Sequence, residues 1–536
     1  MPFSVPSLGT AASHVHLRPL ETRHDMVQLR SQDPSSSAAL ESSLSRAYLE
    51  AAGQDGIHYG ALSFYAALDQ VAVNSPDVAQ AIIRELAAQR SNVKLIASEN
   101  YSSLATQVSQ GNLLVDKYAE GFVGHRFYAG CENVDAVERE ATDLARALFG
   151  AEYAYVQPHS GADANLVAFL AILRTRVEVP ELEQGGWRSP LTVPAEKWTA
   201  LRHTLGNQRL LAMDFFSGGH LTHGYRFNFS SRLFDAHTYT VDRETKLVDL
   251  DALRRQLHEV RPLILLAGYS AYTRKIDFAR MRELADEVGA TFMVDMAHFA
   301  GLVAGKLFTG NFDPVPHAHV VTSTTHKTLR GPRGGIVLSS AEYADAVDKG
   351  CPAVLGGPLP HVMASKAIAL REASQPSFQD YAARIVDNAQ ALADGLQRRG
   401  ARVATGGTDN HIVLADVSAS FGLTGRQAES ALRAVGMTLN RNSLPFDANG
   451  PWYTSGLRLG TPALTTLGMG TDEVDEIADV AVGVLRATTP TSANGKPSKA
   501  KYETDGKAVQ EARSRIAALC DKFPVYPEID LSIVEG

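Results

Sequence analysis

Cysteine is scarce. Three occur in 536 residues, Cys131, Cys351 and Cys520, an odd and scattered set without a C-x-x-C pair. This excludes a disulfide framework and a zinc knuckle, and it fits a reducing compartment. No apolar run approaches the ~18 residues that a membrane-crossing helix needs. The first forty residues contain no hydrophobic signal core, and Glu21, Asp25 and Asp33 speak against a transit peptide. Cytoplasm is the expected compartment. Long basic runs are also missing, and a formal net charge of −8 with a pI near 6.1 offers little to a nucleic-acid backbone. Neither nucleic acid nor membrane is expected as a partner.

What is present is the composition of a globular protein, 45% apolar and 21% charged, long enough for at least two domains. Residues 1–40 are polar, Ser-rich and aperiodic, which predicts disorder or a surface arm. Ser75-Pro76-Asp77 opens a helix with Ser as cap, and Val78, Ile82 and Leu86 follow at helical spacing to a stop before Ser91. From about 150 to 340 strands and helices alternate. Tyr153–Val156, Leu263–Ala267, Thr291–Val294, His319–Ser323 and Ile336–Leu338 read as strands, Asp163–Leu173 and Phe278–Val288 as helices. Such alternation implies an α/β fold with a mostly parallel sheet and ligands bound beyond the carboxyl ends of its strands.

Arg174–Gln208 interrupts this pattern and reads as an inserted excursion. Beyond about 365, helices over Ala364–Glu372 and Phe378–Arg398 and a strand at Ile412–Ala415 suggest a smaller α+β domain. Thr489–Lys501 reads as a polar linker and Gly506–Lys522 as a last helix. The expected division is therefore an N-terminal extension (1–74), a helical arm (75–110), a large domain (111–363, with the insertion 174–208), a small domain (364–488), and a linker with a terminal helix (489–536).

Within Val320–Gly335 one lysine, Lys327, follows a buried strand directly, on a loop that Gly331-Pro-Arg-Gly-Gly turns into the next strand. Thr324, Thr325, His326 and Thr328 offer it polar partners. Burial and the positive charges of Arg330 and Arg333 should lower its pKa, and a neutral amine is what imine formation with an aldehyde requires. Asp295, in Phe292-Met-Val-Asp-Met-Ala-His298, ends another apolar strand, where a carboxylate is costly without a cation such as a protonated pyridine ring. Ser160, Gly161 and the amide of Ala162 stand between a strand and a helix, a place for phosphate. Arg458 lies among small and apolar residues, suited either to bidentate recognition of a carboxylate or to an ordinary ion pair. Together these are the four requirements of pyridoxal phosphate chemistry: lysine, ring-nitrogen acid, phosphate cradle and carboxylate clamp. Gly218-Gly-His-Leu-Thr-His-Gly224 carries two histidines three apart, but no acid or thiolate accompanies them at ligand spacing. No metal is expected, and His220 reads as a ring packed on the cofactor or a structural histidine. Glu120, in the glycine- and aromatic-rich Lys117–Gly130, reads as a proton shuttle or part of a packed loop.

Seven blocks carry a specific resemblance. Leu95-Ile-Ala-Ser-Glu-Asn100, Tyr118-Ala-Glu120, Gly219-His-Leu-Thr-His-Gly224, Asp295-Met-Ala-His298, Thr324-Thr-His-Lys-Thr-Leu-Arg330, Gly356-Gly-Pro-Leu359 and Thr454-Ser-Gly-Leu-Arg458 resemble the motifs of serine hydroxymethyltransferases, in that family's order, over about Ser91 to Gly470. The resemblance implies a fold type I pyridoxal-phosphate-dependent transferase, with tetrahydrofolate as co-substrate, that converts serine to glycine and 5,10-methylenetetrahydrofolate. By the same resemblance Lys327 carries the cofactor covalently, Asp295 meets the ring nitrogen, His298 the ring hydroxyl side, and His220 stacks on the ring. Ser160, Gly161, Ala162, Ser270, His326 and a partner subunit's Gly357 complete the cofactor site. Ser98 and Arg458 hold the amino-acid carboxylate. Tyr118, Glu120 and Tyr128 surround the serine hydroxyl across a dimer interface, and Leu221, Gly224 and Asn442 match folate-site positions. The implied assembly is a homodimer with shared sites, or a tetramer.

Three positions depart from the common family pattern: Asp163 for Gln, Phe127 for Tyr, and Arg441 for Lys. Two other readings stand beside the transferase. A folate-independent aldolase for β-hydroxy amino acids needs the same lysine, aspartate and arginine but no pterin pocket; tetrahydrofolate dependence discriminates. A non-catalytic scaffold predicts damage to Lys327, Asp295 or Arg458, and all three are present.

Overall fold

The computed structural model describes residues 43–53, 56–493 and 496–535. The arm expected over residues 1–40 lies outside them. At the centre is a seven-stranded sheet of β1 (Tyr153–Tyr155), β2 (Arg209–Met213), β3 (Asp235–Tyr239), β4 (Ile264–Gly268), β5 (Thr291–Asp295), β6 (Val320–Thr324) and β7 (Gly335–Ser339), in the order β1-β7-β6-β5-β4-β2-β3. The pairs β3–β2, β2–β4, β4–β5 and β5–β6 are parallel, whereas β7 is antiparallel to both β6 and β1. Both faces are covered. Leu210, Ala212, Leu266 and Met293 enter one apolar cluster and Leu211, Met213, Leu265 and Val294 the other, which is why these strands read as continuous apolar runs.

β2 and β3 were not expected. The second is an edge strand, Asp-Ala-His-Thr-Tyr, whose exposed and half-buried residues carry no continuous apolar run. The excursion at 174–208 is helical. The helix Gly161–Leu173 continues through a π turn at Arg174–Glu178 into Val179–Gly185, and a further helix spans Ala195–Gly206. Arg176 ties it to the main sheet by donating to Thr291 Oγ1 and the Gly289 carbonyl.

The smaller unit is an antiparallel sheet of β8 (Arg402–Val403), β9 (Ile412–Asp416), β10 (Asn440–Asn442) and β11 (Gly456–Gly460), in the order β8-β9-β11-β10, with its own apolar core. The stretch expected as a linker is instead a hairpin, β12 (Thr488–Ala493) and β13 (Lys496–Thr504). Gln427 Nε2 donates to the carbonyls of Ser498 and Lys501, and Thr424 Oγ1 to that of Lys499. A polar sequence can be ordered this way because its backbone is satisfied by the ladder and by buried side chains.

At the N-terminal side, helices span Leu44–Ala52, Tyr59–Asn74 and Pro76–Arg90. Ser75 caps the last by position only, without a side-chain hydrogen bond, and the buried stripe is Ala79, Ile83 and Leu86 rather than Val78 and Ile82, which are exposed. These helices share a cluster with Val525 and Ile529 near the C-terminus, and Arg90 donates to the carbonyls of Val525 and Ile529. No helix among the described residues is long and apolar enough to cross a membrane.

Candidate active site

The carboxyl ends of β4, β5 and β6 deliver Ser270, Asp295 and Lys327 to one edge of the sheet, and β11 of the small unit brings Arg458 to them. Lys327 Nζ donates to Thr324 Oγ1 at 3.1 Å. Burial and the charges of Arg458 and Arg333 pull its amine down to about 8, against the opposing pull of Asp295. Arg330 plays no part in this, contrary to the expectation. At φ +61° it turns the chain away and lays its guanidinium 4.5 Å from the centre of the Tyr381 ring. Of the polar neighbours, Thr325 donates to the Pro332 carbonyl and Thr328 to that of His298, so they brace the loop and leave the amine to Thr324. Asn100 donates to the Lys327 carbonyl at 2.9 Å.

Asp295 is buried, and its carboxylate accepts from Asn165 Nδ2 (2.9 Å), His223 Nε2 (3.1 Å) and the Ala297 amide (3.0 Å). Burial alone would raise its pKa, but the His223 hydrogen bond and nearby histidines hold it well below the usual carboxylate range. Asn165 also donates to Thr222 and accepts from Thr322. Sequence reading passed over Asn165, Thr222 and His223 as site residues. The available clues were an amide in an otherwise apolar helix and the second histidine of the Gly218–Gly224 block. That block was judged to lack an acid at ligand spacing; the fold supplies Asp295, and donor atoms of His220, His223 and Asp295 lie within 4.8 Å of one another. The Asp295 oxygen in this trio already accepts two hydrogen bonds, which makes it a braced carboxylate.

His220 is half-buried beside them, its Nδ1 2.7 Å from Thr222 Oγ1, and burial lowers its pKa to about 4, so its ring is neutral at pH 7. His298 is buried and pairs with His411, Nδ1 to Nε2 at 3.3 Å, another partner that sequence did not reveal. Arg458 donates through Nη1 to the Ser270 carbonyl (2.7 Å) and through Nε to Asn440 Oδ1 (3.1 Å). No carboxylate pairs with it among the described residues, and its Nη2 makes no hydrogen bond there. Burial lowers its pKa to about 10. Ser98 is carried alongside because the Gly460 amide of β11 donates to the Leu95 carbonyl, and its hydroxyl likewise has no partner among the described residues.

Ser160 caps the helix Gly161–Leu173, its Oγ accepting from the Asp163 amide and donating to the Asp163 carboxylate at 3.0 Å. Gly161 packs so closely on Thr324 that a Cβ would stand 2.6 Å from Thr324 Cγ2. Nearby, His159 Nε2 and His326 Nδ1 are buried without a hydrogen-bond partner, and burial lowers the His326 pKa to about 3. The set of residues fits pyridoxal phosphate on these observations. It has an amine of lowered pKa, a buried ionised carboxylate across from it, first-turn amides beside orphaned imidazole nitrogens, and an arginine with an unused face.

Other expected residues fall elsewhere. Tyr118, Glu120 and Tyr128 form a group of their own: Tyr128 OH lies 3.3 Å from Glu120 Oε2, and the two tyrosine rings meet edge to face at 5.1 Å. Gly357 packs against the Tyr118 ring and Gly356 against the Glu120 carboxylate. No hydrogen bond among the described residues joins this group to Lys327. Leu221 is exposed next to His220, Gly224 takes φ +91° and donates to Ser230, and Asn442 on β10 donates to the Ser443 carbonyl; no hydrogen bond among the described residues joins the three. Arg441 pairs with Glu429, and Phe127 is exposed.

The family model described as serine hydroxymethyltransferase matches residues 71–191 and 194–481, so all but two residues of the 174–208 excursion lie within matched segments. A serine hydroxymethyltransferase of Salinispora tropica is 60% identical over 470 residues, 88% of this chain and 98% of its own length. Those of Mycolicibacterium smegmatis (58% over 494 residues, 92% of this chain and all of the relative) and Treponema pallidum (57% over 492, 92% and 86%) are similarly close. Identity at this level along nearly the full length, over a sheet edge that gathers a buried amine, a buried acid and an arginine, means that the chain belongs to the serine hydroxymethyltransferase family.

Proposed function

We propose that this protein is a pyridoxal-phosphate-dependent enzyme that reversibly transfers the hydroxymethyl group of serine to tetrahydrofolate, giving glycine and 5,10-methylenetetrahydrofolate. The observation that carries the reading is the convergence of Lys327, the braced Asp295 and the half-free Arg458 at adjoining strand ends in a chain of this family. Pyridoxal phosphate, when bound, supplies an electron sink for the bond broken at the amino acid's α-carbon. Lys327 holds it, its amine neutral in a useful fraction because burial brings its pKa to about 8. Asp295 stays ionised opposite the ring nitrogen. His220 presents a neutral ring to the cofactor face, and His298 the hydroxyl side. Ser160, with the amides of Gly161 and Ala162, and His326 take the phosphate. Arg458, whose Nη2 has no hydrogen-bond partner among the described residues, and Ser98 hold the substrate carboxylate, with the Ser270 carbonyl fixing the guanidinium plane. That grip would fix the orientation of the amino acid's α-carbon and so select which of its bonds is broken.

The hydroxyl end of serine is served by Glu120, Tyr118 and Tyr128, which hold or move its proton. Leu221, Gly224 and Asn442 contribute to the folate pocket. The active unit is a pair of chains. Tyr118 (59% exposed), Phe127 (70%) and Tyr128 (46%) stand exposed near Glu120 and Gly357, and these groups serve the partner's Lys327.

The test is formation of methylenetetrahydrofolate from serine by the cofactor-loaded protein, with and without tetrahydrofolate, beside cleavage of allo-threonine. Folate-dependent turnover is expected. A yellow protein that cleaves allo-threonine and ignores folate would sink the transferase reading and make the protein an aldolase.

A further inference from the structure

Behind the phosphate turn lies a charge that the mechanism above does not use. Lys366, on the helix Pro360–Ala373, is 1% exposed, and its Nζ donates to the carbonyls of Val156 (2.6 Å), Pro158 (2.8 Å) and Gly335 (2.9 Å). Three acceptors need three N–H groups, which the ammonium has and a neutral amine lacks. Among the described residues no carboxylate lies within 4.0 Å of it. Two acids act on it from a distance, and both are engaged: Glu138 by Arg126 and by Gln157 Nε2, Asp163 by Ser160 Oγ. A buried cation without a counterion is unfavourable, and burial brings the Lys366 pKa down to about 7.

Two of the three carbonyls that hold Lys366 are on the approach to the phosphate turn, and the third belongs to the first residue of β7. Val156 and Pro158 lead directly into His159–Gly161, and Gly335, whose own amide donates to the Pro158 carbonyl at 2.9 Å, abuts the Ser160 carbonyl. We propose that Lys366 is a positioning residue for the cofactor's phosphate: it pins the turn from behind by three carbonyls and provides the buried positive charge that the phosphate balances. This rests on the reading that the phosphate sits at the start of the helix Gly161–Leu173. The pair then consists of an ammonium behind the turn and an anion before it, in surroundings of low dielectric where each stabilises the other.

The test compares how tightly the full-length protein holds pyridoxal phosphate and pyridoxal, the same ring without phosphate, by titration followed in the cofactor's visible absorption. For Lys366→Met the preference for the phosphorylated form should fall roughly tenfold or more, the scale of one charge-assisted hydrogen bond, with pyridoxal affinity nearly unchanged. Lys366→Arg should restore part of the preference. Should Lys366→Met not fold, Gly334→Ala gives the same reading, since a Cβ there would stand 2.4 Å from Lys366 Cε and displace the amine. A purely structural lysine would weaken both ligands alike, and that result overturns the proposal. Gly161→Ala separates the two levels. If it lowers the preference while the Lys366 and Gly334 variants do not, the phosphate cradle stands and the role of Lys366 falls. If none of the three alters the preference, the cradle reading fails and takes this proposal with it.

Discussion

The group around Lys327 and the group around Glu120 are built in opposite ways. At the first, nearly every polar side chain is buried and held by others: Asp295 by Asn165, His223 and the Ala297 amide, Asn165 by Thr222 and Thr322, and the Lys327 carbonyl by Asn100. At the second, Glu120 meets one tyrosine hydroxyl at 3.3 Å, and both tyrosines are exposed. A preorganised electrostatic site requires the former arrangement, because its charges must be fixed before the reaction begins. The latter is what a surface completed by a second copy requires. Under the proposed function, one chain carries most of the cofactor site and leaves the hydroxyl end of the substrate to groups of a second copy.

The largest effect should come from Lys327→Ala, which leaves the fold intact and lowers folate-dependent serine cleavage by about three orders of magnitude or more. Unchanged turnover would dissolve the contrast between the two groups. Next, Glu120→Gln should cut turnover by roughly 10²-fold while leaving cofactor retention as in the unaltered protein; lost cofactor would mean that the two groups are not separate in function. Mixing these two variants sharpens the comparison. With random pairing, half of the dimers are hybrids and each has one intact site of two, so about a quarter of full activity should return. No recovery would place both groups in one subunit's site.

Arg458→Ala should raise the serine KM by roughly 10- to 100-fold, the loss of one or two charge-assisted hydrogen bonds, and loosen which bond at the α-carbon is cleaved; an unchanged serine dependence would mean that another residue is the clamp. The smallest effect concerns stability. The Lys327 pKa of about 8 lies below the ordinary lysine value near 10.4. Burial of its charge therefore destabilises the cofactor-free protein fully below pH 8, and stability is regained as pH rises from about 8 toward 10, where the unfolded chain binds the extra proton. Lys327→Met should melt about 2 °C higher at pH 7, a gain that shrinks over that window in calorimetry; a gain independent of pH would contradict a buried charged amine.

The amino-acid sequence was legible wherever function depends on a residue's place along the chain. Lys327 after β6, Asp295 at the end of β5 and the helix start at Ser160–Gly161 follow from apolar runs that stop at polar residues. It was misleading where order comes from distant partners. Thr489–Lys501 looks like a linker because nothing in its polar composition announces that Gln427 and Thr424 will bind its backbone. Arg330 looked like a cation beside Lys327, but a left-handed turn at that residue sends it to Tyr381 and leaves the position to Arg333 and to Arg458, 128 residues beyond Arg330.

By itself, the sequence determined the alternating α/β order, the family through seven ordered blocks, and the lysine, acid and arginine on which the proposed chemistry depends, since these are properties of local pattern and residue type. Only the tertiary structure decided that Asn165 and His223 brace Asp295, that His411 pairs with His298, and that Lys366 lies under the phosphate turn. These are contacts between residues far apart in the chain, and their strength comes from burial, which no local pattern encodes.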